Sequence, residues 1–292
     1  MATQRLPEQQ LKIGVAGLGL IGGSLALALR RAGHKVTGCN RSRAAAEYAL
    51  VNGVIDEEGD VTRCDATFVA LPPAATVDFI CSRDWGDTVV ADICGVKGYV
   101  EERVRALRPD IKFVGTHPMA GKEVSGVQNA CADLFDNASM VLTRNIYTDE
   151  RAYGLIKRLV KDMGFKRLVE CSAQVHDKKI AYTSQLAHVV SNCYVKDGEI
   201  EGCLGFTGGS FQDMTRIAGV DEELWAELYL INGQNLIKNI DNLVARLSEV
   251  SSALSAGDKA ALVSLLKAGR EQFAAGKNNS FQGRDITTTL LK

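Results

Sequence analysis

Apolar positions along the chain follow two rhythms, and the rhythm changes near residue 172. Before that point, short apolar runs alternate with stretches of helical spacing. Residues 11–16, 34–39, 67–71, 87–93, 111–115, 140–143 and 166–170 read as strands, the third of them stopped by Pro72 and Pro73. Residues 24–31, 42–51, 99–107 and 149–163 read as helices between them, with Gly33 placed to end the first. Such alternation predicts a mostly parallel sheet covered by helices, with strands such as 67–71 and 89–93 buried on both faces. After Cys171, residues 176–194, 222–230, 233–247 and 259–275 carry helical periodicity, and strand-like runs are scarce. The last dozen residues read as a loosely held tail.

The first strand runs straight into Gly17-Leu18-Gly19-Leu20-Ile21-Gly22, and an Ala/Leu-rich helix follows. A GxGxxG on its own is weak, but between a strand and a helix it reads as a dinucleotide-binding turn. Gly17 makes the tight turn, Gly19 lets the backbone approach a pyrophosphate, and Gly22 allows close helix–strand packing. The open N–H groups of the helix then favour phosphate. The expected architecture is therefore α/β. A Rossmann-type parallel sheet occupies residues 1–172, and an all-helical C-terminal domain occupies residues 173–292.

The second strand bears on which dinucleotide. NAD sites usually carry an acidic residue there for the ribose hydroxyls. This chain has Asn40-Arg41-Ser42-Arg43. Asn40 carries no charge to repel a 2′-phosphate, and Arg41 and Ser42 can donate hydrogen bonds to one. The expected cofactor is NADP, with NAD as the alternative. Leu71 and Pro72, where the third strand ends, complete the candidate cofactor-contacting residues.

Composition narrows the remaining classes. With 34 Lys and Arg against 35 Asp and Glu, the chain lacks the positive excess of a nucleic-acid binder. No apolar stretch approaches a membrane span and the first ten residues are polar, so the expected location is cytoplasmic. None of the eight cysteines forms a CxxC pair, so no metal site is expected and core packing is the expected role. Cys94 is set apart because it lies beside a candidate site.

Three polar segments remain as candidates for chemistry. Residues 115–121 (GTHPMAG) follow an apolar strand, at the sheet end where ligands gather. His117 there can accept a proton from a substrate hydroxyl, or can equally serve as a loop histidine bonded to a carbonyl; Thr116 stands beside it. Ser184 and His188 are four apart on a predicted helix and share a face, with Gln185 adjacent. They suit a ligand or an ordinary helix–helix hydrogen bond. Residues 208–216 (GGSFQDMTR) join flexible backbone to Arg216, which can clamp a carboxylate or form a surface ion pair. Asp213 is read as orienting a neighbour or capping a helix near Met214. His176, followed by Asp177, is assigned a structural role, and His34 none in chemistry.

Together, GLGLIGGSLA at 17–26, DICGVKG at 92–98, GTHPMAGKEVSG at 115–126, HD at 176–177, SQLAHVVS at 184–191 and GGSFQDMTRIAG at 208–219 resemble the prephenate/arogenate dehydrogenase family, the TyrA-type enzymes of tyrosine biosynthesis. The resemblance implies a Rossmann domain followed by a helical domain that forms a homodimer. It implies a cyclohexadienyl substrate. His117 would take the proton of the C4 hydroxyl as hydride passes from C4 to NAD(P)+, with CO2 lost and the ring made aromatic. It assigns Arg216 to a substrate carboxylate and Ser184 and His188 to the pocket wall.

The chain departs from the family pattern at two positions. Gly95 stands where a DxxSVKG pattern has Ser, leaving Cys94, Thr116 or water to replace the hydroxyl. Gln185 stands where an SHLPH pattern has His, which bears on the choice between prephenate and arogenate. Prephenate dehydrogenase is the leading expectation and arogenate dehydrogenase the alternative. A hydroxyacid dehydrogenase and a catalytically silent NADP-binding regulator are more distant ones. No mutase domain is expected in front of the Rossmann core and no complete regulatory domain behind the helices.

Overall fold

The structure is a computed structural model and describes residues 9–196, 198–203, 205–279 and 284–285. Strand β1 (Lys12–Ala16) lies between β2 (Lys35–Cys39) and β4 (Ala66–Val69), parallel to both. The short β3 (Glu57–Glu58) flanks β2, while β5 (Val89–Asp92) and β6 (Phe113–Pro118) extend the sheet on the other side, all parallel. The order β3-β2-β1-β4-β5-β6 places a topological switch between β1 and β4, where open α/β sheets bind nucleotides.

Beyond β6 the sheet becomes mixed. β7 (Ser139–Thr143) runs antiparallel to β6, β8 (Arg167–Cys171) parallel to β7, and β9 (Arg284–Asp285) antiparallel to β8. β9 corrects the expected tail: Arg284 and Asp285 return to the sheet of the first domain, and Asn278 and Asn279 end a helix. Ser280 and Gly283 lie outside the described residues.

Helices cover both faces. α1 (Leu20–Arg31), α2 (Arg43–Val51) and α5 (Glu150–Asp162) pack on a core containing Ile13, Leu25, Phe68, Phe135, Leu142 and Ile156. α3 (Pro73–Cys81) and α4 (Gly98–Leu107) cover Val69, Val90, Val100 and Val104 on the other face. Within β5, Val89 and Ala91 face the first core and Val90 the second, as a strand buried on both sides requires. Fully burying a valine side chain such as these contributes about 1.5–3 kcal/mol. α5 shows the helical counterpart: Ala152, Ile156, Leu159 and Val160 form its buried stripe, and Asp149 caps it by accepting from the Arg151 and Ala152 amides.

α3 is absent from the expected elements because Pro72 and Pro73 read as breakers. Pro73 instead opens the helix, where its missing N–H has no intrahelical partner to lose.

The second half begins with α6 (Ala173–Ile180). It passes through a widened π turn (Ala181–Gln185) into α7 (Leu186–Tyr194), where the spacing predicted one uninterrupted helix. α8 (Gly209–Thr215), α9 (Glu222–Ile231), α10 (Gly233–Ser255) and α11 (Lys259–Asn279) follow. Asp213 lies inside α8 and does not cap it; Gly208 occupies the N-cap. Among the described residues no helix is long and apolar enough to cross a membrane. Packing accounts for Cys64 and Cys94, which are buried, but Cys193 is exposed.

Candidate active site

The glycine turn has the form its sequence predicted. Gly17 takes φ 93°, and a Cβ there would lie 2.3 Å from the Ala70 carbonyl oxygen. A Cβ on Gly22 would fall 1.9 Å from the Gly17 carbonyl oxygen, whereas one on Gly19 would meet nothing within 4 Å. Backbone thus crowds the first and third positions and leaves the middle one open. α1 begins there with no side-chain cap and no acidic residue in its first turn. This is a cradle suited to a pyrophosphate, so the residues present fit a dinucleotide.

Asn40 braces that cradle. Its Oδ1 accepts from the Leu18 amide at 2.9 Å, and its Nδ2 donates to the Ser42 carbonyl at 3.3 Å. Ser42 caps α2, accepting from the Ala45 amide. Arg41 and Arg43 are exposed beside it, and neither pairs with a carboxylate among the described residues. Leu71 and Pro72 form the turn into α3. The Leu71 carbonyl accepts from the Thr76 hydroxyl at 2.9 Å.

His117 sits in a strand. Sequence periodicity ended that strand at residue 115, but β6 continues to Pro118 because β7 takes over as its partner. Val114 and Gly115 pair with β5, and Thr116, His117 and Pro118 pair with Leu142, Val141 and Met140 of β7. His117 therefore projects just past the carboxyl end of β5, partly buried, on backbone held by a ladder. Burial, and then the neighbouring His176 and Lys97, hold its imidazole well below the ordinary value of 6.5, so it is neutral at physiological pH.

The structure gives His117 an unexpected partner. Its Nδ1 lies 2.8 Å from Nε2 of His176, whose Nδ1 lies 2.7 Å from Oδ1 of Asp177. Asp177 also accepts from the amides of Lys97 and Gly98, each at 2.8 Å, at the start of α4. Burial pushes the Asp177 carboxyl up, but the hydrogen bonds from His176 and the two amides outweigh it and hold it below the usual range. Lys97 is fully buried. Its ammonium is paired with Asp92 and donates to the Thr116 carbonyl at 2.6 Å.

Neither expected stand-in for the missing hydroxyl at Gly95 reaches His117. The Cys94 thiol, which burial pushes up, faces Thr76 Oγ1 at 3.3 Å and the Leu71 carbonyl at 3.5 Å. The Thr116 hydroxyl, fully buried, donates to the Asp92 carbonyl at 2.5 Å. Thr116 thus braces the strand and does not line a pocket. A Cβ added to Gly95 would lie 3.9 Å from Cε1 of His117 and 3.5 Å from Leu228, in ordinary contact.

The helical half closes the site mainly through α9. Leu228 lies over Gly95. Trp225, three residues earlier on the same face, packs against His188 with ring centroids 3.8 Å apart and the rings tilted by 39°. Glu227 reaches across to accept from the Ala74 amide at 2.6 Å, tying α9 to the Leu71–Pro72 turn. The His188 Nδ1–H donates to the Ile217 carbonyl at 3.0 Å, leaving Nε2 without a described partner. Arg216, next to Ile217, pairs with Glu123 at 2.5 Å. Glu123 follows β6, so this contact brings Arg216 against the loop that leaves His117. Ser184 is half-buried in the π turn, and its hydroxyl makes no hydrogen bond among the described residues.

Gln185 is placed otherwise than expected for a residue facing substrate. It is buried, its Nε2 donates to the Leu228 carbonyl at 3.2 Å, and its Oε1 accepts from Asn232 at 2.8 Å. It fastens α9 and α10 to the π turn. Sequence reasoning assigned no role to Asp177, Lys97, Glu123, Trp225 or Leu228 because they reach the site from separate elements; Asp177, Lys97 and Glu123 lay within the quoted motifs, while Trp225 and Leu228 carried no local signal.

Comparison with known proteins agrees with this geometry. Residues 25–169 match the family described as prephenate dehydrogenase, nucleotide-binding domain, and residues 172–268 match prephenate dehydrogenase, dimerization domain. A prephenate dehydrogenase of Bacillus subtilis (strain 168) is 30% identical over 274 residues, covering 88% of this chain and 74% of its own length. The crystal structure of prephenate dehydrogenase from A. aeolicus in complex with hydroxyphenyl propionate and NAD+ superposes with TM-score 0.83 at 26% identity, covering 93% of this chain and 99% of that one. Synechocystis arogenate dehydrogenase superposes with TM-score 0.75 at 28% identity, covering 90% and 99%. With His117 inside the first matched segment and α6 to α10 inside the second, the chain belongs to the prephenate/arogenate dehydrogenase family, the TyrA-type enzymes of tyrosine biosynthesis.

Proposed function

We propose that this NAD(P)-dependent dehydrogenase is a prephenate dehydrogenase using NADP, forming 4-hydroxyphenylpyruvate and CO2. The observation that carries the reading is His117: a neutral imidazole at the carboxyl-end edge of the parallel strands, the edge at which the open glycine turn also lies. When bound, the nicotinamide supplies the acceptor for hydride from C4 of the ring. His117 takes the hydroxyl proton from the same carbon and returns it to the phenolic oxygen after CO2 leaves. Arg216 holds a substrate carboxylate, displacing Glu123 from the guanidinium. His188 and Ser184 line the cleft. α9 shields it from water through Trp225 and Leu228, which strengthens every charged contact inside.

For the cofactor, the uncharged Asn40 and the unpaired Arg41 and Arg43 support NADP over NAD. For the substrate, the 30% identity to the prephenate dehydrogenase of Bacillus subtilis supports prephenate, and Gln185, buried against Leu228 and Asn232, offers no carboxylate to the amino group that distinguishes arogenate. Dimer formation through residues 173–292 is part of the same proposal. α10 and α11 leave Val244, Leu247, Leu254, Val263, Leu266 and Phe273 exposed in a single chain. The deciding experiment assays prephenate and arogenate, each with NADP and NAD, on the wild type and on Arg41→Ala. The expected result is fastest turnover with prephenate and NADP, and an Arg41→Ala loss of about tenfold confined to NADP. Preference for arogenate, or equal losses with both dinucleotides, would overturn the corresponding half of the assignment.

A further inference from the structure

The reaction needs one base, yet a second imidazole is buried between that base and a carboxylate. Where the hydrogens sit follows from donors and acceptors. The Lys97 and Gly98 amides can only donate, so Asp177 accepts from both, and its place at the start of α4 favours the ionised form. An ionised carboxylate can only accept, so His176 carries its hydrogen on Nδ1, which lies 2.7 Å away. His176 is 2% exposed, and burial holds it below its ordinary value, so it is neutral and its Nε2 is a lone pair. The 2.8 Å contact then requires the hydrogen of His117 to be on Nδ1. The nitrogen left bearing a lone pair is Nε2, the one without a hydrogen-bond partner among the described residues.

A histidine side chain without such a partner favours the opposite tautomer. That form would aim a hydrogen at the substrate hydroxyl and could not take its proton. We infer that His176, anchored by Asp177, is a positioning residue that keeps the hydrogen of His117 on Nδ1 and so holds the Nε2 lone pair ready for the proton transfer. The inference rests on the reading of His117 as the base. The proton taken at Nε2 leaves the Nδ1–H bond to His176 intact, and Asp177 offsets the charge that forms on His117. The other groups facing the pair do not compete for Nδ1. The ammonium of Lys97 is engaged by Asp92 and the Thr116 carbonyl, while Gly95 and Leu228 present no titratable group. The arrangement also accounts for tolerance of Gly95, since the orienting contact comes from α6 and not from the loop after β5.

The test is tautomer-resolved 15N spectroscopy of the full chain, combined with kinetics. The chain has four histidines, and His117→Asn identifies the His117 signals by their loss. In the wild type both His117 and His176 are expected as Nδ1–H. His176→Leu is expected to shift His117 toward Nε2–H. It should lower kcat about 10–100-fold, the usual scale for removing a group that orients a functional histidine, with KM and dinucleotide Kd little changed. His176→Gln, whose amide oxygen can accept the same hydrogen bond, is expected to recover most of that kcat. An Nε2–H on wild-type His117, or equal losses in the Leu and Gln variants with no tautomer change, would overturn the inference. The wild-type spectrum decides the tautomer even if leucine at 176 disturbs folding. The base reading fails separately: normal turnover by His117→Asn, alongside a wild-type Nδ1–H, would remove the purpose of the relay and leave its geometry standing.

Discussion

The two ends of the cleft are built differently. At one end His117 stands on a strand held there by its ladder to β7, partly buried, with a hydrogen bond to a second buried histidine. At the other end Arg216 follows a short helix, its side chain 62% exposed, and pairs with a Glu123 side chain that is 49% exposed. The difference separates two tasks. Proton transfer needs one nitrogen held at one place in a fixed protonation state, which backbone pairing and burial supply. Carboxylate capture needs a charge that can change partners, and a solvent-screened ion pair worth about 0–1 kcal/mol can be exchanged at little cost.

Substitutions at the two ends should therefore affect different constants. The largest effect is expected from His117→Asn: kcat falls by about 10²–10⁴-fold, the usual contribution of a positioned base, while dinucleotide Kd measured by fluorescence titration stays near wild type. A mutant with wild-type kcat would place the chemistry elsewhere. Next is Arg216→Ala, with KM raised about 10–100-fold, the scale of a charge-assisted hydrogen bond, and kcat changed only a few-fold. A fall in kcat at unchanged KM would mean that Arg216 acts on the transition state and that the two tasks are not divided.

The pH profile sharpens the comparison from the other direction. A base whose pKa is held down stays neutral as the medium is acidified through the ordinary histidine range, and is lost only when pH falls through the depressed value. The acid limb of kcat/KM should accordingly lie below 6.5. A limb at or above 6.5 would show that His117 is not desolvated as the structure has it. The smallest effect is expected from Glu123→Gln, which frees Arg216 and should lower KM a few-fold with no change in kcat. A raised KM would mean that Glu123 helps to hold substrate instead of competing with it.

The parts legible in the sequence share one property: they are encoded locally. The glycine turn can be read because Gly17, Gly19 and Gly22 each answer a backbone requirement within one strand–helix unit. The strands can be read because burial on both faces makes each a short continuous apolar run, and the later helices because a 3.6-residue period follows from backbone geometry. Gln185 shows where local reading stops. Its place beside Ser184 suggested a pocket residue, but its amide is taken by Leu228 and Asn232, over 40 positions away. The strand through His117 extends past its apolar run for a similar reason, since β7 supplies hydrogen-bond partners that no window around residue 117 contains. Asp177 caps α4, a helix whose own N-cap residue offers no side-chain bond.

The sequence by itself determined the apolar runs of the strands, the helical period, the open nucleotide turn and the family motifs carrying His117 and Arg216. Each depends on neighbours along the chain, and covalent geometry makes such neighbours predictable. Only the tertiary structure decided which nitrogen of His117 is free and which polar residues face inward. A hydrogen bond between residues 59 positions apart exists only after the sheet and α6 have packed together.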